Sequence, residues 1–378
     1  MDFTAPRRTL LAALDTALPA SDHGSEMPIL HSLQVSAKAN GNITIAATDL
    51  LVSCVARLQS KVKTPGSACV PAKLFRDVVA RMKEGDVTVT LKGSSCSIKG
   101  TGSRAATSIP TMPGEDFPSI PSITDPAATV PAAMLSALLR ITRPSMSIDT
   151  TRPHLACVML EMTGSLMRAV STDGHRLSKV ERAYEGSKRG PWLVPSAFLS
   201  RVKIPDEGDL QVSGTRTGPV MIEWGAEDSR VTWTTKVVDA AYPSYEQVIP
   251  SRWYMTADCA RKDLIDAIKT VSVAADHLTL TARTEAAQGE KVDTIKLHAE
   301  NAERCAMTDE LAAETGPGNS DHTLKGVRIG LGSEYIAQAL SSLSGDRVTL
   351  GFTGELGPMV ILSPDEAGYI GIIMPRRI

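Results

Sequence analysis

Three stretches of the chain carry the same local signals in the same order, which a single undivided core does not require. An amphipathic pattern opens at Leu10-Leu11-Ala12-Ala13-Leu14. It returns at Met134-Leu135-Ser136-Ala137-Leu138 and again at Leu264-Ile265-Asp266-Ala267-Ile268. Two adjacent apolar residues with a third three places later lie on one stripe of a helix. A second helix start follows in each copy, at Val70-Pro71-Ala72-Lys73-Leu74-Phe75, at Val194-Pro195-Ser196-Ala197-Phe198-Leu199 and at Gly332-Ser333-Glu334-Tyr335-Ile336. Proline fits there because the N–H it lacks has no helical partner. In the third copy Ser333 is the expected cap. Each copy then makes a Gly-Asp turn into an alternating strand, at Gly85-Asp86, Gly208-Asp209 and Gly345-Asp346. Period-two alternation predicts half-buried antiparallel strands.

Shorter matches keep the same order: Ala47-Thr48-Asp49-Leu50 with Ser171-Thr172-Asp173-Gly174, Ser103-Arg104 with Ser229-Arg230, and Phe117-Pro118-Ser119 with Tyr242-Pro243-Ser244. The repeats predict an α+β chain of three similar domains of about 126 residues, a normal domain size. Their expected spans are 1–125, 126–252 and 253–378, each with two helices and antiparallel sheets. Linkers are expected at Pro118–Thr129 and Pro243–Trp253. The polar, Gly/Pro-bearing stretch Ala312–His322 is expected to be an inserted loop.

Composition narrows the function. With 42% hydrophobic and 22% charged residues and a net charge of −2, the chain has an ordinary soluble globular make-up. No apolar run approaches the roughly 18–20 residues of a membrane helix, and Met1-Asp2-Phe3-Thr4 does not open a signal peptide. Six cysteines lie far apart without a C-x-x-C pair, which points to reduced thiols in a cytoplasm. Ser171, Asp173 and His175 alternate within one strand-turn segment and cannot converge as a hydrolytic triad must. There is no G-x-S-x-G elbow and no phosphate-binding G-x-x-x-x-G-K-[ST] loop. His154, His175, His277, His298 and His322 lack metal-ligand spacing. No catalytic activity, metal or cofactor is expected.

The runs Ser171-Thr172-Asp173-Gly174-His175-Arg176-Leu177, Tyr242-Pro243-Ser244-Tyr245 and Met374-Pro375-Arg376-Arg377-Ile378 resemble the bacterial sliding clamp family, the beta subunit of replicative DNA polymerase III. Met27-Pro28-Ile29-Leu30 and Ala47-Thr48-Asp49-Leu50 resemble it too, so the likeness runs from end to end. It implies three DNA-clamp domains per chain and a head-to-tail ring homodimer around double-stranded DNA. A ring is held by topology, so a modest excess of cations suffices, because phosphate contacts are independent of sequence. The candidate DNA-facing residues are Lys73, Arg76, Arg140, Arg143, Arg152, Arg201, Lys203, Arg261 and Lys269. The loop Ser21-Asp22-His23-Gly24 lacks an arginine that some relatives carry.

The resemblance further implies a pocket for a short hydrophobic peptide of the polymerase III alpha subunit, the clamp loader, other polymerases and repair proteins. Its residues would be Leu155, Thr172, Gly174, His175, Arg176, Leu177, Pro243, Val248, Tyr335, Leu356, Ile372, Ile373, Met374 and Pro375, with Arg376, Arg377 and Ile378 at the rim. Gln247, Gly332 and Arg376 depart from what relatives often carry. The subunit seam is expected to set a first-domain edge (Lys99, Arg104, Ile109) against the third-domain helix near Lys269, Val271 and Ser272. Two alternatives stay open: a clamp-like interaction scaffold that does not encircle DNA, and a specialised second clamp.

Overall fold

The computed structural model describes residues 1–102, 107–123, 128–215, 217–287, 290–303, 305–320 and 322–377, with side chains described outside 284–292. Six strand-to-helix junctions organise the described residues. Strand Asp2–Pro6 runs into α1 (Arg7–Ala17), Gly66–Pro71 into α2 (Ala72–Ala80) and Ala128–Pro131 into α3 (Ala132–Thr142). Arg189–Pro195 runs into α4 (Ser196–Leu199), Met255–Ala260 into α5 (Arg261–Val271) and Gly326–Gly332 into α6 (Ser333–Ser341). Four of these strands end on proline, which removes a ladder donor where the strand must stop and fixes φ for the helix entry. Pro6 and Pro71 are N-cap residues with φ of −57° and −50°. The expected Ser333 cap is not made. Gly332 occupies the cap position, and Ser333 Oγ instead donates to the Asp276 carbonyl at 2.8 Å.

The Gly-Asp turns recur as expected. Gly85, Gly208 and Gly345 have φ of 133°, 92° and 88°, a region that favours glycine. Each turn is stitched to the first residue of a helix. The N–H of Arg7 donates to Gly85 O at 2.9 Å, that of Ala132 to Gly208 O at 2.8 Å and that of Arg261 to Asp346 O at 2.7 Å.

The chain packs as two compact units, residues 1–133 with 197–237 and residues 134–196 with 238–378. The first holds a five-stranded sheet, ending on Thr107–Pro110, and a nine-stranded sheet in which Val52–Gln59 pairs with Val231–Lys236. Phe3, Phe75, Phe198 and Trp233 fill its core, with Phe198 edge-on to Trp233 at 6.2 Å. The second unit holds a nine-stranded sheet in which Arg176–Ala183 pairs with Tyr369–Ile373, and a four-stranded sheet ending on Cys305–Ala312. Strands from the middle third of the chain thus enter both large sheets. Edge pairing explains it, since an unpaired strand edge is a liability that a neighbouring repeat can cover.

Two local expectations fail. Ala312–His322 is not simply a loop, because Glu314–Pro317 forms a strand on Met255–Asp258. The Pro243–Trp253 stretch is not a free linker, because it contains a 3-10 turn, Tyr245–Val248, whose Tyr245 is buried.

Candidate functional site

The turn between strands Leu166–Thr172 and Arg176–Ala183 is held by its own side chains. Asp173 Oδ1 accepts the backbone N–H groups of His175 at 2.8 Å and Arg176 at 3.0 Å. Thr172 Oγ1 accepts from the Gly174 N–H at 3.1 Å and donates to Arg176 O at 2.7 Å. Gly174 makes the reversal at φ 93°. The buried Arg176 guanidinium pairs with Asp173 at 3.0 Å and donates to Gln338 Oε1 at 2.6 Å. Gln338 in turn donates to Glu334 at 2.7 Å. Buried charge is tolerated when every polar group finds a partner, and this chain of contacts supplies them.

Tyr335 on α6 gathers the exposed part of the site. Arg176 Cζ lies 4.6 Å from its ring centroid and Arg376 Cζ 5.9 Å, both within cation–π range. The His175 ring stacks on it at 6.3 Å with an interplanar angle of 11°. Gly332 has a local reason: a Cβ there would lie 3.0 Å from Tyr335 Cδ2. The last residues are zipped onto this edge by the Met374 N–H to His175 O at 2.9 Å and the Arg376 N–H to Gly330 O at 2.8 Å.

The expected apolar floor needs correction. Leu177 and Ile372 face each other across paired strands inside a core cluster with Cys157, Met159, Val170, Leu193, Tyr245 and Val360. Leu155 and Ile373 are also buried. These four side chains are therefore buried in the free chain. Of the expected apolar set, Met374 (37%), Val248 (46%) and Leu356 (82%) are exposed, Pro243 is exposed and Pro375 half-buried. Arg377 is exposed, and Ile378 lies outside the described residues. Gln338 and Glu334 went unrecognised in the sequence, although they stand four residues apart on one helix face and Gln338 falls three residues after Tyr335. Tyr242, whose hydroxyl donates to Val170 O at 3.3 Å, also went unrecognised beside the noted Pro243.

The nine candidate DNA-facing cations divide by partner. Arg140 is taken by the buried Glu366 at 2.8 Å and by Ser342 O. Arg201 is taken by the buried Asp49. Arg261 donates to Gly345 O at 2.7 Å and Leu340 O at 3.2 Å. These three are held by acceptors of the chain itself, although the Arg140 side chain stays 42% exposed. Arg76 with Asp15 (2.7 Å), Arg152 with Asp149 (3.0 Å) and Lys269 with Asp266 (3.5 Å) make more exposed pairs, which are weak. Lys73, Arg143 and Lys203 are exposed and have no carboxylate partner among the described residues.

At the expected seam, Ile109 and Val271 are fully buried in the chain itself and cannot offer side chains to a second copy. Lys99 is exposed, Ser272 caps α5, and Arg104 lies outside the described residues. The exposed edges nearby are Thr107–Pro110 and Cys305–Ala312, each the last strand of its sheet. Val273, 67% exposed just past α5, is an exposed apolar side chain the sequence reading missed.

Among the described residues, Ser171 and Asp173 do not form a hydrolytic arrangement with His175. Ser171 Oγ donates to the Thr142 carbonyl, and Asp173 is committed to its turn and to Arg176. Burial pushes the Cys69 thiol up to about 12 and that of Cys96 to about 11, away from the reactive thiolate. Among the described residues, no three His, Cys, Asp or Glu side chains cluster to hold a metal, and no helix is long and apolar enough to cross a membrane.

Comparison with known proteins gives this architecture its relatives. Residues 1–121 match the model of the DNA polymerase III beta subunit N-terminal domain, and residues 129–244 match that of its central domain. The beta sliding clamps of Salmonella typhimurium and Vibrio cholerae are 25% and 26% identical, with all of each chain covered. Among solved structures, the DNA polymerase III beta subunit of Pseudomonas aeruginosa superposes with a TM-score of 0.88 at 20% identity over 100% of both chains. The sliding clamp of Bacillus subtilis also gives 0.88 at 20% identity, covering 100% of this chain and 99% of that one. The two family models take in more than half of the chain, the relatives align along all of it, and the fold agrees: the chain belongs to the DNA polymerase III beta subunit family, the bacterial beta sliding clamps.

Proposed function

We propose that the chain is a non-catalytic DNA sliding clamp whose two copies close head to tail around duplex DNA and tether polymerases by a short apolar peptide. Three sequence repeats, with the spans 1–125, 126–252 and 253–378, would form the protomer. The single observation that carries the tethering role is the rigid turn 172–177 set against Tyr335, with Met374 exposed and two arginines beside the ring. A pre-organised edge of this kind loses little entropy on binding, and a flexible methionine adapts to different apolar anchors. Polymerase III alpha subunit and clamp-loader peptides are the partners this surface suits.

Ring closure would use the sheet edges Thr107–Pro110 and Cys305–Ala312, since a head-to-tail contact that closes after two copies consumes both. Lys73, Arg143 and Lys203, with the weakly paired Arg76, Arg152 and Lys269, would supply the sequence-independent phosphate contacts. Because Arg140, Arg201 and Arg261 are occupied, the grip on DNA is weak and retention depends on enclosure.

The test is retention on DNA after loading. A ring stays on a nicked circle through a high-salt wash and leaves as soon as the circle is cut. Equal loss from circular and linear DNA at every salt concentration sinks enclosure and favours a surface-binding scaffold of the same fold.

A further inference from the structure

The first unit holds a second copy of the docking turn, built from the same bonds but carrying different side chains at its surface. Asp49 Oδ1 accepts the N–H groups of Leu51 at 2.9 Å and Val52 at 2.6 Å. Thr48 Oγ1 accepts from the Leu50 N–H at 3.0 Å and donates to Val52 O at 3.2 Å. These bonds repeat those of Thr172 and Asp173 one for one. The second carboxylate oxygen of Asp49 meets Arg201, as that of Asp173 meets Arg176. The Lys236 N–H donates to Leu51 O at 3.1 Å, matching the Met374 N–H on His175 O.

Side chains differ at each matched position. Where the other turn has Gly174 and His175, this one has Leu50 and Leu51, 56% and 58% exposed. Where the other has Met374, this one has the exposed Lys236. Leu50 sits at φ 76°, the only non-glycine residue with positive φ among the described residues. A bulky residue is strained there, and a leucine left 56% exposed recovers little of that by packing. Glycine would be cheaper, so the strain points to use of the side chain. Asp49 and Arg201 pair with each other, and the exposed Lys236 stands on the strand bonded to Leu51, beside the two presented leucines.

We propose that the Thr48–Val52 turn is a second docking edge, for an extended peptide with leucine-type anchors next to a carboxylate. The anchors pack on Leu50 and Leu51, and the carboxylate pairs with Lys236. The inference rests on reading the 172–177 turn as a peptide edge, and differs from it in presenting two leucines on the turn itself.

The probe is a fluorescein-labelled hexapeptide of alternating leucine and aspartate, titrated by anisotropy and by leucine-methyl NMR against the full chain. Two peptides per chain are expected, with the Leu50 and Leu51 methyl signals shifting. The double variant Leu51→Ser with Lys236→Glu should bind one, its lost site weakened at least about tenfold, as removal of one anchor and reversal of one charge imply. Deletion of 374–378 should remove the other site alone. Leu50→Gly, which relieves the strain, should weaken the same site while unfolding no earlier than the wild type, which separates docking from folding. The proposal is overturned if the double variant leaves stoichiometry and affinity unchanged, if the leucine methyls do not move, or if no peptide binds. Should the tail deletion leave binding intact while the double variant loses a peptide, the 172–177 reading fails and this one stands.

Discussion

The Glu366 carboxylate is almost out of solvent, with its side chain 5% exposed, and donors converge on it from Arg140, Arg182 and Ser344. Burial raises its pKa, and the bonds from Ser344 and Arg140 more than reverse that, leaving it below the usual 4.5. A group whose pKa is depressed by folding stabilises the fold above its unfolded value and loses that contribution as pH falls through the folded one. Glu366→Gln is therefore expected to cost about 2 kcal/mol near pH 7, the scale of a charge-assisted hydrogen bond. Thermal unfolding of the two proteins should differ by a constant amount down to about pH 5 and converge below about 4.5. A gap that does not narrow as pH falls below 4.5 would place the effect in packing. The network explains why Arg140 could not be judged from sequence: its partners are more than two hundred positions away, and no local pattern encodes them.

At the scale of elements, two arginines do the same work in different repeats. Arg7 opens α1 and reaches the end of α2, donating to Val79 O at 3.1 Å and to Ala80 O at 2.6 Å. Arg261 opens α5 and reaches Leu340 O near the end of α6 and Gly345 O just beyond it. Final-turn carbonyls lack helical partners and carry partial negative charge, so a cation there satisfies both needs. In the middle repeat the matching position is Ala132 and the second helix, α4, is only four residues long. The cap is absent where the helix is stunted. Arg261→Met should lower stability in urea unfolding by about 1–2 kcal/mol, and Arg7→Met by a similar amount. No change in either variant would make these contacts incidental. The amphipathic pattern disclosed the helices themselves, because their period is local. The use of Arg261 as a cap depends on the neighbouring helix end.

For the whole molecule, the proposed ring depends on two sheet edges finding each other in trans. Ala306 and Ala312 are exposed on the edge strand Cys305–Ala312, and charges on an edge oppose strand addition. Replacing both by lysine should turn a sedimenting dimer into a monomer and abolish retention on circular DNA, while thermal stability of the chain stays within about 1 kcal/mol. A variant that remains dimeric would move the seam elsewhere. The sequence reading put one side of this seam on α5, where Val271 is fully buried; the exposed strand beside it comes into view only once the sheet order is known.

By itself the sequence determined the recurring local geometry: glycine at the three positive-φ turns, proline where strands give way to helices, and Thr-Asp turns that bind their own backbone. Each follows from torsional preference or from side chains within a few residues, so a short window suffices. Only tertiary structure decided which arginines are spent on Glu366, Asp49 and helix ends, which leucines go inside, and that Leu50 and Leu51 stay out. Those outcomes depend on which distant carboxylate, carbonyl or apolar surface folding brings within a few ångströms, and a linear pattern does not contain that distance.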